Sequence, residues 1–206
     1  MKNNRKNLGE REMEIILASG SPRRKALLES LGWEFTVVVP DTDEKIMDGE
    51  MPEELAERLA REKAEAVGNK YFHLPVVAAD TVVEIGGNIL GKPRNEDEAF
   101  EMLSALQGRV HRVITGVALL KEGKMISRNG ITRVFFRKLD REEINTYINT
   151  ENCLDKAGGY AIQGRGALLV EKIEGCYFNV VGLPLSLLSS MFQSTGWPLV
   201  EQWRCF

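Results

Sequence analysis

The chain has 206 residues, 43% hydrophobic and 28% charged, the balance of an ordinary globular protein with enough apolar material for its own core. Lys and Arg number 27 against 30 Asp and Glu, so the formal net charge of -3 excludes a general positive coat for nucleic acid but not a local basic cluster. No apolar run approaches the roughly 18 residues of a membrane span, Met1 to Glu14 lack the apolar core of a signal peptide, and Cys153, Cys176 and Cys205 show no metal-ligand spacing.

A cytoplasmic protein without membrane or nucleic-acid partners is therefore expected. Its first element, Ile15-Ile16-Leu17-Ala18, reads as a short buried strand. Ser19-Gly20-Ser21-Pro22 follows, where Ser21 suits a helix N-cap and Pro22 the first turn. That helix continues through Leu27, Leu28 and Leu31 and stops at Gly32. Phe35 to Val39 is a second strand, followed by an acidic loop holding Asp41, Asp43 and Glu44. Pro52 opens a long helix to about Val67. Val76 to Ala79 is strand-like, and Gly86-Gly87 marks a tight hairpin. Asn95 and Glu98 start another helix in capping-box style. Two β-rich stretches, Val110 to Leu120 and Met125 to Leu139, flank Glu122-Gly123, and Asp140 with Glu143 marks a short helix. Gly158, Gly159, Gly164, Gly166, Gly175 and Gly182 are expected to punctuate strands, and Pro184 to begin the last helix. Strands interleaved with helices predict an α/β fold, and the long central strands predict a mixed sheet.

Four constellations point toward chemistry. Ser19-Gly20-Ser21-Pro22-Arg23-Arg24 joins a strand to a helix N-terminus, an anion-binding junction by its free N–H groups and dipole. Two arginines in that first turn oppose the dipole; they are either plain solvated side chains or partners of a bound anion. Lys63 projects from the apolar stripe of Leu55, Ala56, Leu59, Ala60 and Val67, so it either snorkels to the rim or points into a polar pocket. Asp80 closes the apolar run Ala78-Ala79, at what reads as a strand end, the usual place for α/β active sites and also for simple turns. Gly91-Lys92-Pro93 adds a cation, and Asp41, Asp43 and Glu44 are candidates to share a hard divalent ion with Asp80. The fourth stretch, Asp155 to Gly164, has the glycine density of a backbone close to a ligand and carries the Gln163 amide. His73 and His111 are too isolated for a zinc site, and no base partners a cysteine.

Leu17-Ala18-Ser19-Gly20-Ser21-Pro22-Arg23-Arg24, Ala79-Asp80-Thr81, Gly91-Lys92-Pro93, Thr115-Gly116-Val117, Asp155-Lys156-Ala157-Gly158 and Gly182-Leu183-Pro184 together resemble the Maf family of nucleoside triphosphate pyrophosphatases, in unbroken order from about Ile15 to Phe192. The resemblance implies a domain over residues 15–192 with a two-lobed α/β fold similar to that of inosine triphosphate pyrophosphatases. Residues 1–14 and 196–206 fall outside it as terminal extensions. It also implies a cytoplasmic enzyme, often a homodimer, that uses a divalent metal (Mg, Mn or Co) to hydrolyse nucleoside triphosphates to monophosphate and pyrophosphate. By resemblance Asp80 is the proton acceptor, and Ser19, Arg24, Glu44, Lys63 and Lys92 line the site. Arg23, Thr81 and Gln163 stand at positions that mark the dTTP/UTP branch rather than the 7-methyl-GTP branch. Asn152-Cys153 departs from the Glu-Pro pair common in relatives.

Both lines of reading meet in one mechanism. Arg23, Arg24, Lys63 and Lys92 match the roughly four negative charges of a triphosphate and stabilise its transition state. Asp80 is expected to orient and deprotonate water for attack on the α-phosphorus, and a divalent ion held by Glu44 and Asp80 would polarise the phosphorus. Gln163 and the Thr81 hydroxyl are placed to read a pyrimidine edge. Two other readings are a nucleotide-binding regulator of septum formation with little turnover and a pyrophosphatase for modified or purine nucleotides.

Overall fold

The computed structural model describes residues 14–47 and 49–204; Cys205 and most of the segment before Ile15 lie outside the described residues. In chain order the elements are β1 (Ile15–Ala18), α1 (Pro22–Ser30), β2 (Phe35–Val38), α2 (Pro52–Gly68), β3 (Val76–Ile85), β4 (Asn88–Leu90), α3 (Glu96–Leu106), β5 (Val110–Lys121), β6 (Lys124–Phe136), α4 (Arg141–Thr150), β7 (Val170–Glu174), α5 (Tyr177–Val181), α6 (Leu185–Ser194) and α7 (Leu199–Gln202). Among the described residues no helix is long and apolar enough to cross a membrane.

The strands form one sheet in the order β2-β1-β3-β5-β6-β7, with β4 beside the far end of β3. β2, β1 and β3 run parallel, whereas β5, β6 and β7 continue the sheet antiparallel. The expected mixed sheet follows from chain connectivity: helices α1 and α2 cross over between parallel neighbours, and the two-residue link at Glu122-Gly123 can only return the chain antiparallel.

Both faces of the parallel half are covered, which is why β1 and the start of β3 are apolar at every position. Ile15, Leu17, Val77 and Ala79 point toward α1 and α6, meeting Leu28, Leu188 and Phe192. Ile16, Ala18, Val76 and Ala78 point the other way, onto Ala60, Ala64 and Val67 of α2. A second lobe forms where the far halves of β3, β5 and β6 pack on α3 and α4, with Val83, Val113 and Phe136 against Leu103, Leu106 and Ile144.

Several expectations are corrected here. β3 does not end at Ala79 but runs on to Ile85, because its polar residues have partners: Asp80 is paired with Lys63 and Glu84 with Arg112. Ahead of α3, Asn95 Oδ1 accepts from Glu98 N at 2.9 Å, but Glu98 returns to Arg94 N at 2.6 Å, so the capping box is only half formed. The glycines from 158 to 182 do not punctuate several strands. Gly158, Gly159, Gly164 and Gly166 lie in two 3-10 turns (157–159 and 164–169), and β7 is the one strand there. Pro184 does begin a helix, but α7 follows it, and the tail as far as Gln202 folds into the first lobe. Trp197 is buried against Trp33 and Phe192, and the Trp33 indole donates to the Gln202 carbonyl at 3.1 Å.

Candidate active site

The site opens where the sheet loses an edge. The last residue of β1 pairs Ala18 with Ala78, and β4 pairs with β3 only from Val83 onward. Between those pairings residues 79–82 have no strand on that side, and Asp80 and Thr81 sit in the gap. Asp80 is thus mid-strand rather than at a strand end, but it lies just beyond the end of β1, where the chain turns away through Ser19-Gly20-Ser21. Ser19 Oγ accepts from Ser21 N at 3.1 Å, Ser21 caps α1 by accepting from Arg24 N at 3.5 Å, and Pro22 fills the first helical position.

Helix α2 supplies the floor. Lys63 is buried, 7% exposed, and donates to Asp80 Oδ1 at 2.5 Å and to Glu44 Oε1 at 2.6 Å, so it points into a polar pocket and does not snorkel. This reach depends on how closely α2 lies on the sheet. Gly116 of β5 pairs with Asp80, and a Cβ there would stand 2.1 Å from the Ala56 carbonyl oxygen. The missing side chain lets α2 descend.

Lys92 donates to the other Glu44 oxygen, Oε2, at 2.8 Å. Burial raises the pKa of Glu44, but the hydrogen bonds of Lys63 and Lys92 outweigh it and hold the carboxyl down to about 2. Asp41 and Asp43 do not join it, contrary to the shared-ion expectation. On the extended loop after β2, Pro40, Thr42 and Glu44 alternate into the cleft, which leaves Asp41 and Asp43 outside, the latter paired with Lys45.

Arg24 is a strut. Its Nε donates to the Gly182 carbonyl at 2.7 Å, Nη1 to Ser19 Oγ at 3.2 Å and Nη2 to Thr81 Oγ1 at 3.1 Å. Burial pushes its pKa below the usual range, and the charge of Asp80 opposes that shift. Thr81 Oγ1 is 3.0 Å from Thr115 Oγ1, whose proton goes to the Asn179 carbonyl at 2.9 Å. The Thr81 proton must therefore go to Thr115, so this hydroxyl holds Arg24 in place and has no proton left to donate to a base. Arg23 donates through Nη1 to Asp155 Oδ2 at 3.3 Å.

All eight residues expected to bind substrate or act as the base (Ser19, Arg23, Arg24, Lys63, Asp80, Thr81, Lys92 and Gln163) line one cleft of about 400 Å³, together with Glu44. Gln163 is exposed at its rim. Two further lining groups, Asp155 and Lys156, carry no local sequence signal for a role. With them five cations face three carboxylates, a local balance of +2 on a chain whose net charge is -3. Tyr160 also lines the cleft and is braced from behind by His111, its hydroxyl 2.6 Å from Nε2. The only signal for it was the glycine-rich stretch around it.

A sequence profile of the family described as Maf-like protein matches residues 14–195. The chain belongs to the Maf family. It is 48% identical over 182 residues to the dTTP/UTP pyrophosphatase of Syntrophomonas wolfei subsp. wolfei, covering 87% of this chain and 96% of that protein. It is 49% identical over 184 residues to the dTTP/UTP pyrophosphatase of a Geobacillus species, covering 89% and 99%. Among solved structures, the Staphylococcus aureus Ham1 protein superposes with a TM-score of 0.50 at 14% identity, covering 88% of this Maf chain and 99% of that one, which shows a shared fold.

Two carboxylates of this Maf cleft suit a divalent ion. Asp80 and Glu44 converge on one ammonium from either side, and both present hard oxygen donors. Among the described residues no group of three or more His, Cys, Asp and Glu gathers as a metal cage. Two carboxylates fit the pattern of Mg²⁺, which completes its shell with water and substrate phosphate oxygens.

Proposed function

We propose that this chain hydrolyses nucleoside triphosphates, dTTP and UTP in particular, to the monophosphate and pyrophosphate. The observation that carries the reading is the convergence of Asp80, Glu44 and Lys63 at the floor of a cationic cleft. Relatives at 48% and 49% identity that are named dTTP/UTP pyrophosphatases support it.

Spare hydrogen-bond donors in the cleft support a role in meeting a polyphosphate. Lys63 uses two of its three N–H donors on carboxylates and keeps one; Lys92 uses one and keeps two. Arg24 spends three of five and keeps one on each terminal nitrogen. Those donors are preorganised by the fold, so they stabilise charge developing on the phosphates without reorganising. Asp80 holds an attacking water and takes its proton, with Lys63 fixing which carboxylate oxygen faces the substrate. When bound, a divalent cation (Mg²⁺, Mn²⁺ or Co²⁺) is held by Glu44 and Asp80 and neutralises phosphate charge. Ser19 and Thr81 act by locking Arg24.

Pyrimidine preference rests on Gln163, whose amide can meet the N3–H of thymine or uracil and an adjacent carbonyl together. A polar group left unpaired by the wrong base costs about 1–3 kcal/mol, roughly 5- to 150-fold in rate. The reading includes a cytoplasmic location, where triphosphates are made and used, and a homodimer. Pyrophosphate release measured with dTTP, UTP, CTP, GTP and 7-methyl-GTP tests it. The dTTP and UTP values of kcat/KM should stand highest, and Gln163→Ala should flatten the series. Equal rates on GTP and dTTP would end the pyrimidine reading, and no turnover of any nucleotide would favour a binding regulator.

A further inference from the structure

Asp155 and Lys156 sit side by side on the loop after α4, in the wall of the cleft that Arg23 reaches. The Asp155 carboxylate divides its oxygens between two cations. Oδ2 accepts from Arg23 Nη1 at 3.3 Å, and Oδ1 accepts from Lys156 Nζ at 2.6 Å. Arg23 Nη2 also donates to the Asp155 carbonyl at 3.3 Å. Lys156 donates in addition to the Asn152 carbonyl, and its side chain is only 10% exposed, so its ammonium is fixed in the wall and not free to swing. One anion held between an arginine and a lysine at the edge of a polyphosphate cleft is the arrangement a phosphate group would adopt.

We infer that Arg23 and Lys156 form a phosphate subsite that Asp155 fills in the free protein and yields to the substrate. Lys156 is then a fifth substrate-binding cation, and Asp155 is its internal competitor. This rests on the pyrophosphatase reading for the identity of the ligand, though not for the existence of the subsite. Helix geometry gives an independent reason. Arg23 lies in the first turn of the nine-residue α1, where the dipole disfavours a cation unless an anion is near. Asp155 meets that requirement in the free protein, and phosphate meets it in the complex. The competitor is also displaceable: the Arg23 and Asp155 side chains are 25% and 42% exposed, and such pairs are weak. A triphosphate carrying several charges outbids a single carboxylate that solvent already screens.

The test is binding of inorganic pyrophosphate to the full chain by calorimetry in magnesium-free buffer, with melting temperatures recorded alongside. Asp155→Asn should bind about 2- to 5-fold more tightly, the scale of one exposed ion pair removed from competition. Lys156→Gln, which keeps a donor for Asn152, should bind more weakly by at least that factor. Weaker binding in Asp155→Asn would make Asp155 a positioning residue for Arg23, and unchanged binding in Lys156→Gln would remove Lys156 from the subsite; either result overturns the inference. Should Asp155→Asn fail to fold, Lys156→Gln decides alone. No turnover enters the measurement. If the wild type hydrolyses none of the triphosphates and the two variants still shift pyrophosphate binding in these directions, the pyrophosphatase reading ends and the subsite stands.

Discussion

Lys63 holds two carboxylates at once, so removing each partner has a different consequence. Asp80→Asn leaves the lysine paired with Glu44 and keeps the strand's shape. Its kcat should fall by about 10²–10⁴ with the melting temperature little changed, the usual scale for losing a general base. Lys63→Ala instead strands the 7% exposed Asp80 carboxylate beside Glu44 with no cation between them. Here stability should fall with activity, by up to about 3 kcal/mol, because an uncompensated buried charge is left behind. Chemical denaturation of both variants at neutral pH separates the cases, and equal stability would mean the pair is far more solvated than its burial indicates. Behind Tyr160, His111 is 2% exposed, and burial, opposed by the charge of Glu84, lowers its pKa to about 4 from the usual 6.5. The unfolded chain takes up a proton at this residue below pH 6.5 while the folded one resists until about 4. Stability is therefore present above 6.5 and lost as the pH falls toward 4, by at most about 1.4 kcal/mol per pH unit. Melting curves across that range should show the loss in the wild type and a shallower slope in His111→Gln. Of the site residues, those in short motifs were legible from the sequence, since Ser21-Pro22 and an ionisable residue in an apolar run carry local signals. Lys156 was not, because its meaning comes from Arg23, 133 positions away in the sequence.

At the scale of elements, β1, α1 and α2 could be read from period and caps because each decides its own boundaries. β3 could not be read past Ala79, since Asp80 and Glu84 look like breakers until Lys63 and Arg112 are placed against them. The glycines after 157 misled for the opposite reason. Gly158, Gly159 and Gly164 have φ of 68°, 74° and 62°, a left-handed conformation that serves tight 3-10 turns as readily as strand ends. Gly116 shows how one element positions another. Its Cβ would collide with the α2 backbone rather than with a yielding side chain, so Gly116→Ala must lift the helix. We expect a loss of about 1–3 kcal/mol from overpacking. A fall in kcat should come with it, because Lys63 is carried away from Asp80. A variant that is destabilised yet turns over normally when folded would show that the depth of α2 does not set the site.

For the whole molecule, the question is how far the folded unit extends. The family resemblance stopped near Phe192, and the sequence beyond it offers only a few apolar residues without periodicity, too little to announce an element. The structure closes the first lobe with that tail. Trp197 is 4% exposed, its ring centroid is 5.0 Å from Trp33 and 4.8 Å from Phe192, and Gln202 ties the segment down by donating to the Trp197 and Ser189 carbonyls. Trp33 follows closely on α1, the helix that carries Arg23 and Arg24, so the tail stabilises the lobe that presents two of the five cations of the cleft. Trp197→Ala should cost about 3–5 kcal/mol, the range for emptying a buried tryptophan site. Trp33, Phe192 and Ser189, the partners of Trp197 and Gln202, do not line the cleft, so kcat and KM measured well below the lowered melting temperature should remain close to the wild-type values. If Trp197→Ala melts with the wild type, the segment is an appendage after all. If it melts early and also loses KM for triphosphates while still folded, the tail holds the α1 wall in place, and its role extends from stability to binding.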